Sequence, residues 1–397
     1  MHSKIPDHIP PELVVDFDRF NAPQLKRCPH QAVTELFRGG PDIFYTPGDR
    51  GHWVVTRAAD ARDMLRQPDK FSSDPRYNVA NARNPRTLPN QSDPPEHTDL
   101  RRIVNPYFSP AGVQKMEPDI RRLARTLIDG VAARGSCEFV TEIAQRFPVE
   151  WFLRMANAPV ADRETLIEMA DRFTREPDIT KRLAALEELA AYLKHLIAER
   201  EQAPGSDLVS LVVHAQVGER GLTADEKIGV VTLLFLAGLD TVAAMLSFIM
   251  AFLGRAPAHY ARLVDNPALI PSAVEELMRV HGVAGTERGV TSDMVYNGVQ
   301  FKTGDRLVFM AHLYGLDEQQ VDRPFTVDFD RPVSAHLVFG GGPHRCLGSH
   351  LARLEMRVFL EEWALRIPAF TVDAEGDLPT RGGLVWAPVA VPLVWQP

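Results

Sequence analysis

Residues 339–348 of the chain read FGGGPHRCLG, a glycine-rich run that contains a single cysteine. Phe339, Gly342, Cys346 and Gly348 fit the spacing F-x-x-G-x-x-x-C-x-G. A chance match to this spacing, at ordinary residue frequencies, has odds on the order of 10⁻³. Three consecutive glycines followed by Pro343 predict a tight turn whose backbone N–H groups face inward.

An amphipathic helix is predicted directly after this turn, from Leu347 to Arg366. Its apolar face carries Leu347, Leu351, Leu354 and Val358. Cys346 therefore lies at a helix N-terminus, where the helix dipole and free N–H groups favour a thiolate. A thiolate is an axial ligand that haem iron accepts. An isolated cysteine is more often an inert buried thiol, but the full pattern favours the ligand.

Composition limits the possible functions. The chain has 397 residues, a formal net charge of -8, and 45% hydrophobic residues. This acidic balance argues against a nucleic-acid-binding protein. The apolar stretch from Ile228 to Gly254 is interrupted by Asp240-Thr241, so each half is too short to span a membrane. No signal peptide is visible, and we expect a cytoplasmic protein without a membrane anchor. Three cysteines do not form a disulfide framework, so Cys28 and Cys137 are expected to be plain thiols.

The pattern along the chain predicts a single domain over residues 1–397, mainly α with small β-sheets. Residues 1–50 are rich in proline and glycine and are expected to be an irregular segment packed on that domain. The strongest helix signals are Thr180–Arg200 and Thr223–Arg255, and the second opens with a capping box, Thr223 to Glu226. Further elements are predicted as a strand at His52–Arg57, a helix at Ala58–Gln67, and strands within Val295–Leu307 and Gly383–Val394.

Polar residues interrupt the centre of the predicted Thr223–Arg255 helix, in the run from Ala237 to Thr241. A glycine inside a helix costs about 1 kcal/mol relative to alanine. Burying Asp240 is also costly. Both are tolerated most easily where the helix opens to receive a ligand. The alternative is that the Thr241 hydroxyl bonds to the preceding turn and Asp240 lies at a local bend.

Two further segments carry charged residues at helical spacing. Glu276 and Arg279 lie on one face of a helix and would ordinarily form a solvated surface pair. Asp93-Pro-Pro-Glu96 is predicted to start a helix with Asp93 as the N-cap. His97 and Arg101 then project from one face of that helix and could clamp a carboxylate.

Together these motifs resemble the cytochrome P450 family, and from about residue 50 onward they resemble its camphor-hydroxylase subfamily. Specific similarities are LAGLDTVAAMLSF (236–248), YGLDE (314–318) and VPLVW (391–395). The resemblance implies the trigonal-prism cytochrome P450 fold, a haem b cofactor and monooxygenase activity. It also implies Cys346 as the iron ligand.

The resemblance also assigns roles to the other motifs. Asp240 and Thr241 would be the catalytic pair that delivers protons to dioxygen, with Arg175 as an ion-pair partner of Asp240. Glu276 and Arg279, with Arg331, would lock the core behind the haem. The haem propionates would be held by His97, Arg101, Arg288 and His344. Further haem contacts are implied for Phe339, Gly348 and Gly238.

The substrate implied by the resemblance is a small apolar ring compound, a terpenoid or norisoprenoid ketone. Pocket candidates by this similarity are Tyr77, Leu88, Leu233, Leu236, Ala284, Leu384 and Val385. The subfamily's best-known member holds the substrate carbonyl with a tyrosine, whereas the corresponding stretch here, Asn84 to Leu88, contains none. This difference puts camphor itself in doubt as the substrate.

The electron donor implied by the resemblance is an acidic [2Fe–2S] ferredoxin with its reductase, acting on a monomeric enzyme that uses O2. A docking patch could be formed by Arg62, Arg66, Arg101, Arg102 and Arg345. Two alternatives stay open: a haem-thiolate peroxygenase driven by hydrogen peroxide, and a non-catalytic haem-binding sensor. The Asp240-Thr241 pair argues against the first. The second ranks last, because a sensor would need no proton relay and no regulatory domain is predicted.

Overall fold

The computed structural model describes residues 3–78, 84–332 and 336–397. Helices form most of its framework, as the sequence predicts. The α-helices are α1 Pro29–Phe37, α2 Ala58–Met64, α3 Glu96–Phe108, α4 Pro110–Gln114, α5 Glu117–Ala132, α6 Phe147–Met155, α7 Arg163–Arg175, α8 Ile179–Gln202, α9 Leu208–Val213, α10 Ala224–Gly238, α11 Thr241–Arg255, α12 Pro257–Asp265, α13 Ile270–Val280 and α14 Ser349–Arg366.

The strands are short and lie mainly near the two ends of the chain. They are β1 Ile43–Thr46, β2 His52–Val55, β3 Phe71–Ser72, β4 Ser136–Glu138, β5 Gln216–Val217, β6 Arg220–Gly221, β7 Thr286–Val290, β8 Met294–Tyr296, β9 Val299–Phe301, β10 Arg306–Phe309, β11 Thr371–Val372, β12 Thr380–Arg381, β13 Ala387–Pro388 and β14 Pro392–Val394. Five of them form one sheet in the order β1-β2-β10-β7-β3, in which β2 and β10 run parallel. A second sheet has the order β11-β14-β4, and the remaining strands form two-stranded pairs.

The first 50 residues are more regular than the sequence predicts. They contain α1 and β1, so the prediction of an irregular segment is wrong. Pro29 occupies the first helical position, where a missing N–H costs nothing, and Val33 is fully buried. All four residues of β1 are buried because the strand pairs with β2. Tertiary burial overrides the weak local signal of a proline-rich segment.

The long apolar helix predicted over Thr223–Arg255 is present but broken. Its capping box is confirmed, since the Thr223 hydroxyl accepts from the Glu226 N–H and the Glu226 carboxylate accepts from the Thr223 N–H. The helix stops at Gly238 and resumes at Thr241, and Asp240 leaves helical geometry with φ -133°. The stretch Ala224–Arg255 is long and apolar enough to cross a membrane, yet 67% of its most apolar window is buried inside the protein. A core helix passes the same test.

The helix that follows the glycine turn, α14, is fixed rigidly against α5. The Glu362 side chain, only 1% exposed, accepts hydrogen bonds from Arg121, Arg125 and Arg366. A buried carboxylate is stable when it is paired this fully. Trp363 and Val358 are fully buried on the same helix. Because α14 begins three residues after Cys346, this packing fixes the position of the cysteine.

Candidate active site

An internal cavity of about 370 Å³ lies between the glycine turn and the broken helix. One wall is formed by residues 338–341 and by His344, Cys346, Leu347 and Gly348, and another by α10 and α11. Of the three cysteines, Cys346 lines the cavity. Cys137 is buried in the core, and the Cys28 sulfur donates to Asp377 at the surface. The predicted candidate cysteine is therefore the one that faces open space.

Backbone contacts shape the turn that carries Cys346. The Cys346 N–H donates to the Phe339 carbonyl at 2.8 Å, which closes the loop. Gly342 has φ +64°, and a Cβ there would collide with the Leu65 carbonyl oxygen, so only glycine fits. By contrast, a Cβ on Gly348 would meet no atom within 4 Å, and Gly348 lines the cavity. The predicted helix begins at Ser349, two residues later than expected.

Opposing effects act on the Cys346 thiol. Burial raises the pKa of Cys346, whereas the Gly348 N–H and three nearby arginines favour the thiolate. Two of these arginines, Arg345 and Arg353, flank the loop, and the Arg353 guanidinium lies 4.5 Å from the centre of the Phe339 ring. The sulfur is therefore held where a metal ion could replace the proton, with hydrogen-bond donation already in place.

Four basic side chains converge on the same cavity, as predicted. They are His97, Arg101, Arg288 and His344. The His97 and His344 rings lie 4.1 Å apart between centres, and both ring nitrogens of His97 and Nε2 of His344 are buried without a hydrogen-bond partner. Arg101 donates to the Arg345 carbonyl at 3.0 Å, and Arg288 donates to Thr286 Oγ1 at 2.9 Å.

Burial among like charges shifts the titration of this group, which we call the open cluster. Burial and the nearby Arg101 and Arg288 lower the pKa of His97 to about 4. Burial likewise lowers the pKa of Arg288 to about 10. Asp93 approaches His344 Nε2 only to 4.0 Å. A cluster of buried basic groups with unsatisfied nitrogens fits an anionic ligand, and two carboxylates at the edge of a haem match its composition.

Asp93 itself does not cap α3, so that prediction is wrong. The helix begins at Glu96, and its N-cap position, Pro95, offers no side-chain acceptor. The Asp93 carboxylate instead accepts from the Ser72 hydroxyl and, at 2.9 Å, from the Ser73 N–H. It therefore ties the start of α3 to β3. The face that carries His97 and Arg101 is nevertheless presented to the cavity as predicted.

The break between α10 and α11 places its polar residues beside the cavity. Arg175 Nη2 lies 2.9 Å from Asp240 Oδ1, and the Arg175 side chain is only 3% exposed. This ion pair was predicted. The Thr241 hydroxyl donates to the Ala237 carbonyl at 3.0 Å, which corresponds to the structural alternative for this residue. Thr241 nevertheless lines the cavity beside Ala237, so the hydroxyl oxygen remains close to the open space.

Gly238 serves a packing role as well as lining the cavity. A Cβ on Gly238 would lie 2.5 Å from the Phe152 ring of α6. Phe152 also lines the cavity and packs edge-to-face on Phe235 at 5.0 Å. The glycine therefore lets an aromatic side chain approach the helix at its break. Glycine is required at position 238 by the contact with Phe152, and the contact with a cofactor that the sequence implied is not needed to explain it.

Glu276, Arg279 and Arg331 form a buried group, which we call the closed cluster. Arg279 donates two hydrogen bonds of 2.8 Å to Glu276, and Arg331 donates a third at 3.1 Å. Arg279 also donates to three backbone carbonyls, and its side chain is 1% exposed. A solvated surface pair is thus excluded. The structural role predicted for these residues fits this geometry.

The predicted pocket residues divide into two groups. Leu88, Leu233 and Ala284 line the cavity. The structure does not bring Tyr77, Leu236, Leu384 or Val385 to this cavity, as far as its described lining extends. Leu236 and Val385 are buried in the core, the latter bridged to Ala284. The Leu384 N–H donates to the Thr174 carbonyl, and the Tyr77 carbonyl packs against Gly289.

Several lining residues were missed in the sequence. They include Asn90, Phe108, Phe152, Met245 and Thr286. Alternation could have found Thr286, because Ala284, Thr286 and Arg288 share one side of an extended segment. No sequence signal separates Phe108, Phe152 or Met245 from ordinary core residues, since only the tertiary fold leaves space in front of them.

A cavity with a cysteine in a glycine turn, basic anchors and a mainly apolar wall fits a haem-thiolate protein. The comparisons with known proteins agree. The family model "Cytochrome P450" matches residues 162–375. The chain is 37% identical to probable cytochrome P450 127A1 from Sinorhizobium fredii, over 98% of this chain and 97% of that protein.

Two solved structures share the whole fold. The crystal structure of cytochrome P450 CYP101C1 is 33% identical, with a TM-score of 0.89, covering 99% of this chain and 100% of that one. The crystal structure of CYP101J2 is 31% identical, with a TM-score of 0.88, covering all of both chains. The chain belongs to the cytochrome P450 family. It is a monooxygenase of the bacterial type, and the family binds haem b through a cysteine thiolate.

Proposed function

We propose that the chain hydroxylates a compact, largely hydrocarbon ring compound of the terpenoid or norisoprenoid type, with Cys346 as the haem ligand and a [2Fe–2S] ferredoxin as electron donor. The observation that carries this proposal is that Cys346, the open cluster and the Thr241 break all face one cavity. The rest of that cavity is lined mainly by apolar side chains, which suits a hydrocarbon-like guest. We further propose that the chain acts as a cytoplasmic, single-domain monomer.

Each group has a distinct task in this proposal. Haem supplies the oxygen-activating chemistry when it is bound. His97, Arg101, Arg288 and His344 would hold its carboxylates and thereby orient the ring. The Cys346 sulfur is held by the Gly348 N–H, which tunes its basicity. Phe339 and Leu347 exclude water from the same wall.

Protons reach the cavity through the helix break. The Asp240 side chain is 14% exposed. Its Oδ1 is paired with Arg175, whereas its Oδ2 is buried without a hydrogen-bond partner among the described residues. A rotation of Asp240 away from Arg175 would bring a proton from solvent toward the Thr241 hydroxyl. Thr241 would then release its bond to Ala237, donate its own hydroxyl proton into the cavity and take the proton of Asp240 in exchange. An acid and an alcohol at a helix break therefore form a two-step relay.

The ligand assignment is tested by replacing Cys346 with His. The reduced carbon monoxide complex of the wild-type protein should show the Soret band characteristic of thiolate ligation, and the variant should lose it. The matched control is Cys137→Ser, which changes a buried cysteine that does not line the cavity and should retain the band. Survival of the band in the Cys346 variant would overturn the assignment.

The relay is tested by Thr241→Ala. We expect the variant to consume reducing equivalents at a similar rate, but to convert a much smaller share into product and to release peroxide instead. Thr241→Ser keeps the hydroxyl and should retain most of the coupling. Equal coupling in wild type and the Ala variant would remove Thr241 from the mechanism, and full activity with peroxide alone would favour the peroxygenase alternative.

Exposed arginines beside the Cys346 loop support the ferredoxin part of the proposal. Arg66 and Arg345 are exposed, and Arg66 directly follows Leu65, whose carbonyl packs on Gly342. Arg101 lies beside them, because its guanidinium donates a hydrogen bond to the Arg345 carbonyl. An acidic protein with a local basic surface can steer an acidic partner to that surface.

The docking surface is tested by charge reversal at Arg62 and Arg102, both outside the cavity lining. The reversal should slow electron transfer from an acidic [2Fe–2S] ferredoxin, most strongly at low salt, without changing substrate affinity. A matched control is Arg220→Glu, which lies on the β5–β6 hairpin. Unchanged transfer in the double variant, or an equal loss in the control, would overturn the docking surface.

A further inference from the structure

A tight turn at residues 86–92 forms one wall of the cavity. Its three central residues, Leu88, Pro89 and Asn90, all line the open space. The Leu88 N–H donates to the Gly229 carbonyl of α10 at 3.1 Å, and a Cβ on Gly229 would lie 2.6 Å from the Arg86 carbonyl oxygen. The turn is therefore pressed against the same helix that ends at the Asp240 break.

The turn is held by its own hydrogen bonds. The Thr87 N–H donates to the Gln91 side chain at 2.9 Å, and the Gln91 N–H donates to the Thr87 carbonyl at 2.8 Å. The Ser92 hydroxyl donates to the Pro89 carbonyl at 2.9 Å. The side chains of Gln91 and Ser92, which follow Asn90, are thus used within the turn. In the described part of the chain, no hydrogen bond involves the Asn90 side-chain amide.

The other polar groups that line the cavity are hydrogen-bonded, belong to the open cluster, or lie on a different wall. Thr241 donates to Ala237, and Thr286 accepts from Arg288. The open cluster would hold the haem carboxylates in the proposed function. Glu355, whose pKa burial raises to about 8, lies on α14, the helix that follows Cys346. Asn90 is the neutral polar side chain of the described lining that has no partner, on the side of the cavity formed by α10.

We infer that Asn90 determines specificity by donating a hydrogen bond from its amide to one oxo oxygen on an otherwise hydrocarbon substrate. The inference rests on the proposed function and names the polar group that the substrate must carry. An amide offers two N–H donors, and its self-bonded turn holds it in place before the substrate arrives. The oxygen anchored at Asn90 fixes the ring in one orientation, and the orientation selects which carbon faces the haem.

The test compares matched ligand pairs that differ by one carbonyl oxygen: camphor with camphane, and 2-adamantanone with adamantane. Dissociation constants are measured by equilibrium dialysis on the haem-loaded protein, for wild type and Asn90→Leu. The variant should bind the ketones about five- to tenfold more weakly, which is the usual worth of one hydrogen bond, and should bind the hydrocarbons no more weakly than wild type. Asn90→Asp, which keeps the shape and replaces the donor by an acceptor, gives a second route if the Leu variant does not fold.

The control is Leu88→Ala, which removes apolar contact at the neighbouring position and should weaken ketone and hydrocarbon alike. A second readout is the product distribution: the Asn90 variants should convert a ketone into a broader mixture of alcohols, with the hydrocarbon products unchanged. Equal changes for both members of a pair, or no change for either, would overturn the inference while leaving the proposed function standing. Failure of the wild-type protein to bind any of the four ligands would overturn the proposed substrate class and the inference with it.

Discussion

The closed cluster and the open cluster are both buried groups of charged side chains, but they differ in completeness. In the closed cluster, the Glu276 carboxylate is matched by Arg279 and Arg331, and Arg279 fills its remaining donors with backbone carbonyls. In the open cluster, His97 has no hydrogen-bond partner on either ring nitrogen. Unpaired buried polar groups cost free energy. Unpaired buried polar groups are tolerated where a ligand supplies the missing partner. The unpaired groups of the open cluster therefore indicate a binding site, whereas the fully paired closed cluster is part of the structural framework.

The largest effect is expected at the closed cluster. Arg279→Met removes two of the four hydrogen bonds to the buried Glu276 carboxylate, leaving those from Arg331 and the Asp328 N–H, and it removes a donor from each of three backbone carbonyls. We expect the free energy of unfolding to fall by about 3–5 kcal/mol, measured by denaturant titration. The double variant Glu276→Gln, Arg279→Met should lose less than the single one, because the buried group at 276 is then neutral and Arg331 keeps its bonds to three backbone carbonyls. An equal or greater loss in the double variant would contradict this account.

At the open cluster we expect a smaller effect, on haem affinity and not on the stability of the haem-free protein. Arg288→Met removes a buried cation that has no carboxylate partner among the described residues. The haem-free protein should be no less stable, whereas haem affinity should fall about 10- to 100-fold with the loss of a charge-assisted bond. Transfer of haem to apomyoglobin measures this affinity. If Arg288→Met destabilised the haem-free protein as Arg279→Met does, the distinction between the two clusters would fail.

As the pH is lowered, the two clusters should change the folding stability over different pH ranges. The folded-state pKa of His97 is lowered to about 4, so below its ordinary value of 6.5 the unfolded chain binds a proton that the folded chain does not. Stability of the haem-free protein therefore falls as pH drops from 6.5 toward 4. The Glu276 pKa is lowered by its hydrogen bonds from Arg279, against burial, so its contribution is present above 4.5 and is lost only below it.

His97→Gln isolates the first window. At pH 5 the number of protons taken up on unfolding should fall by about one relative to wild type, from the pH dependence of the unfolding free energy. Asp93, Arg101, Arg288 and His344 surround His97, and bound haem adds carboxylates, so the same difference should shrink in the haem-loaded protein. An unchanged proton uptake in the variant would show that His97 is not a neutral buried group.

The contrast between the clusters also explains what the sequence could predict. The glycine turn, Cys346 and the capping box are local patterns whose geometry follows from neighbouring residues, and the structure bears out that geometry. The basic residues of the open cluster come from three separate segments, α3, β7 and the glycine turn, and only family resemblance indicated that these segments meet. Asp93 was wrongly predicted as an N-cap, because Ser72 and Ser73 lie far away in sequence but compete for its carboxylate.

The pocket was the least predictable part. Leu88 and Leu236 have the same chemistry, yet one lines the cavity and the other is enclosed by core side chains. Which apolar residue borders empty space depends on the rotation and bending of helices, here the break at Asp240. Local sequence patterns carry no signal for that. The role of Asn90 could not be predicted from the sequence either. Its amide is recognised as unbonded only once the hydrogen bonds of Gln91 and Ser92 are known.

The smallest effect is expected at Arg102, next to Arg101 on α3 but facing solvent. Its guanidinium lies 2.8 Å from Asp99, with the two side chains 73% and 37% exposed. Such i, i+3 pairs contribute about 0.2–0.5 kcal/mol, and salt screens them. Arg102→Ala should therefore leave haem affinity unchanged and lower stability by no more than this amount, less at high salt. A loss of haem affinity comparable to that of Arg288→Met would mean that total positive charge near α3, rather than the unpaired geometry of the open cluster, holds the cofactor.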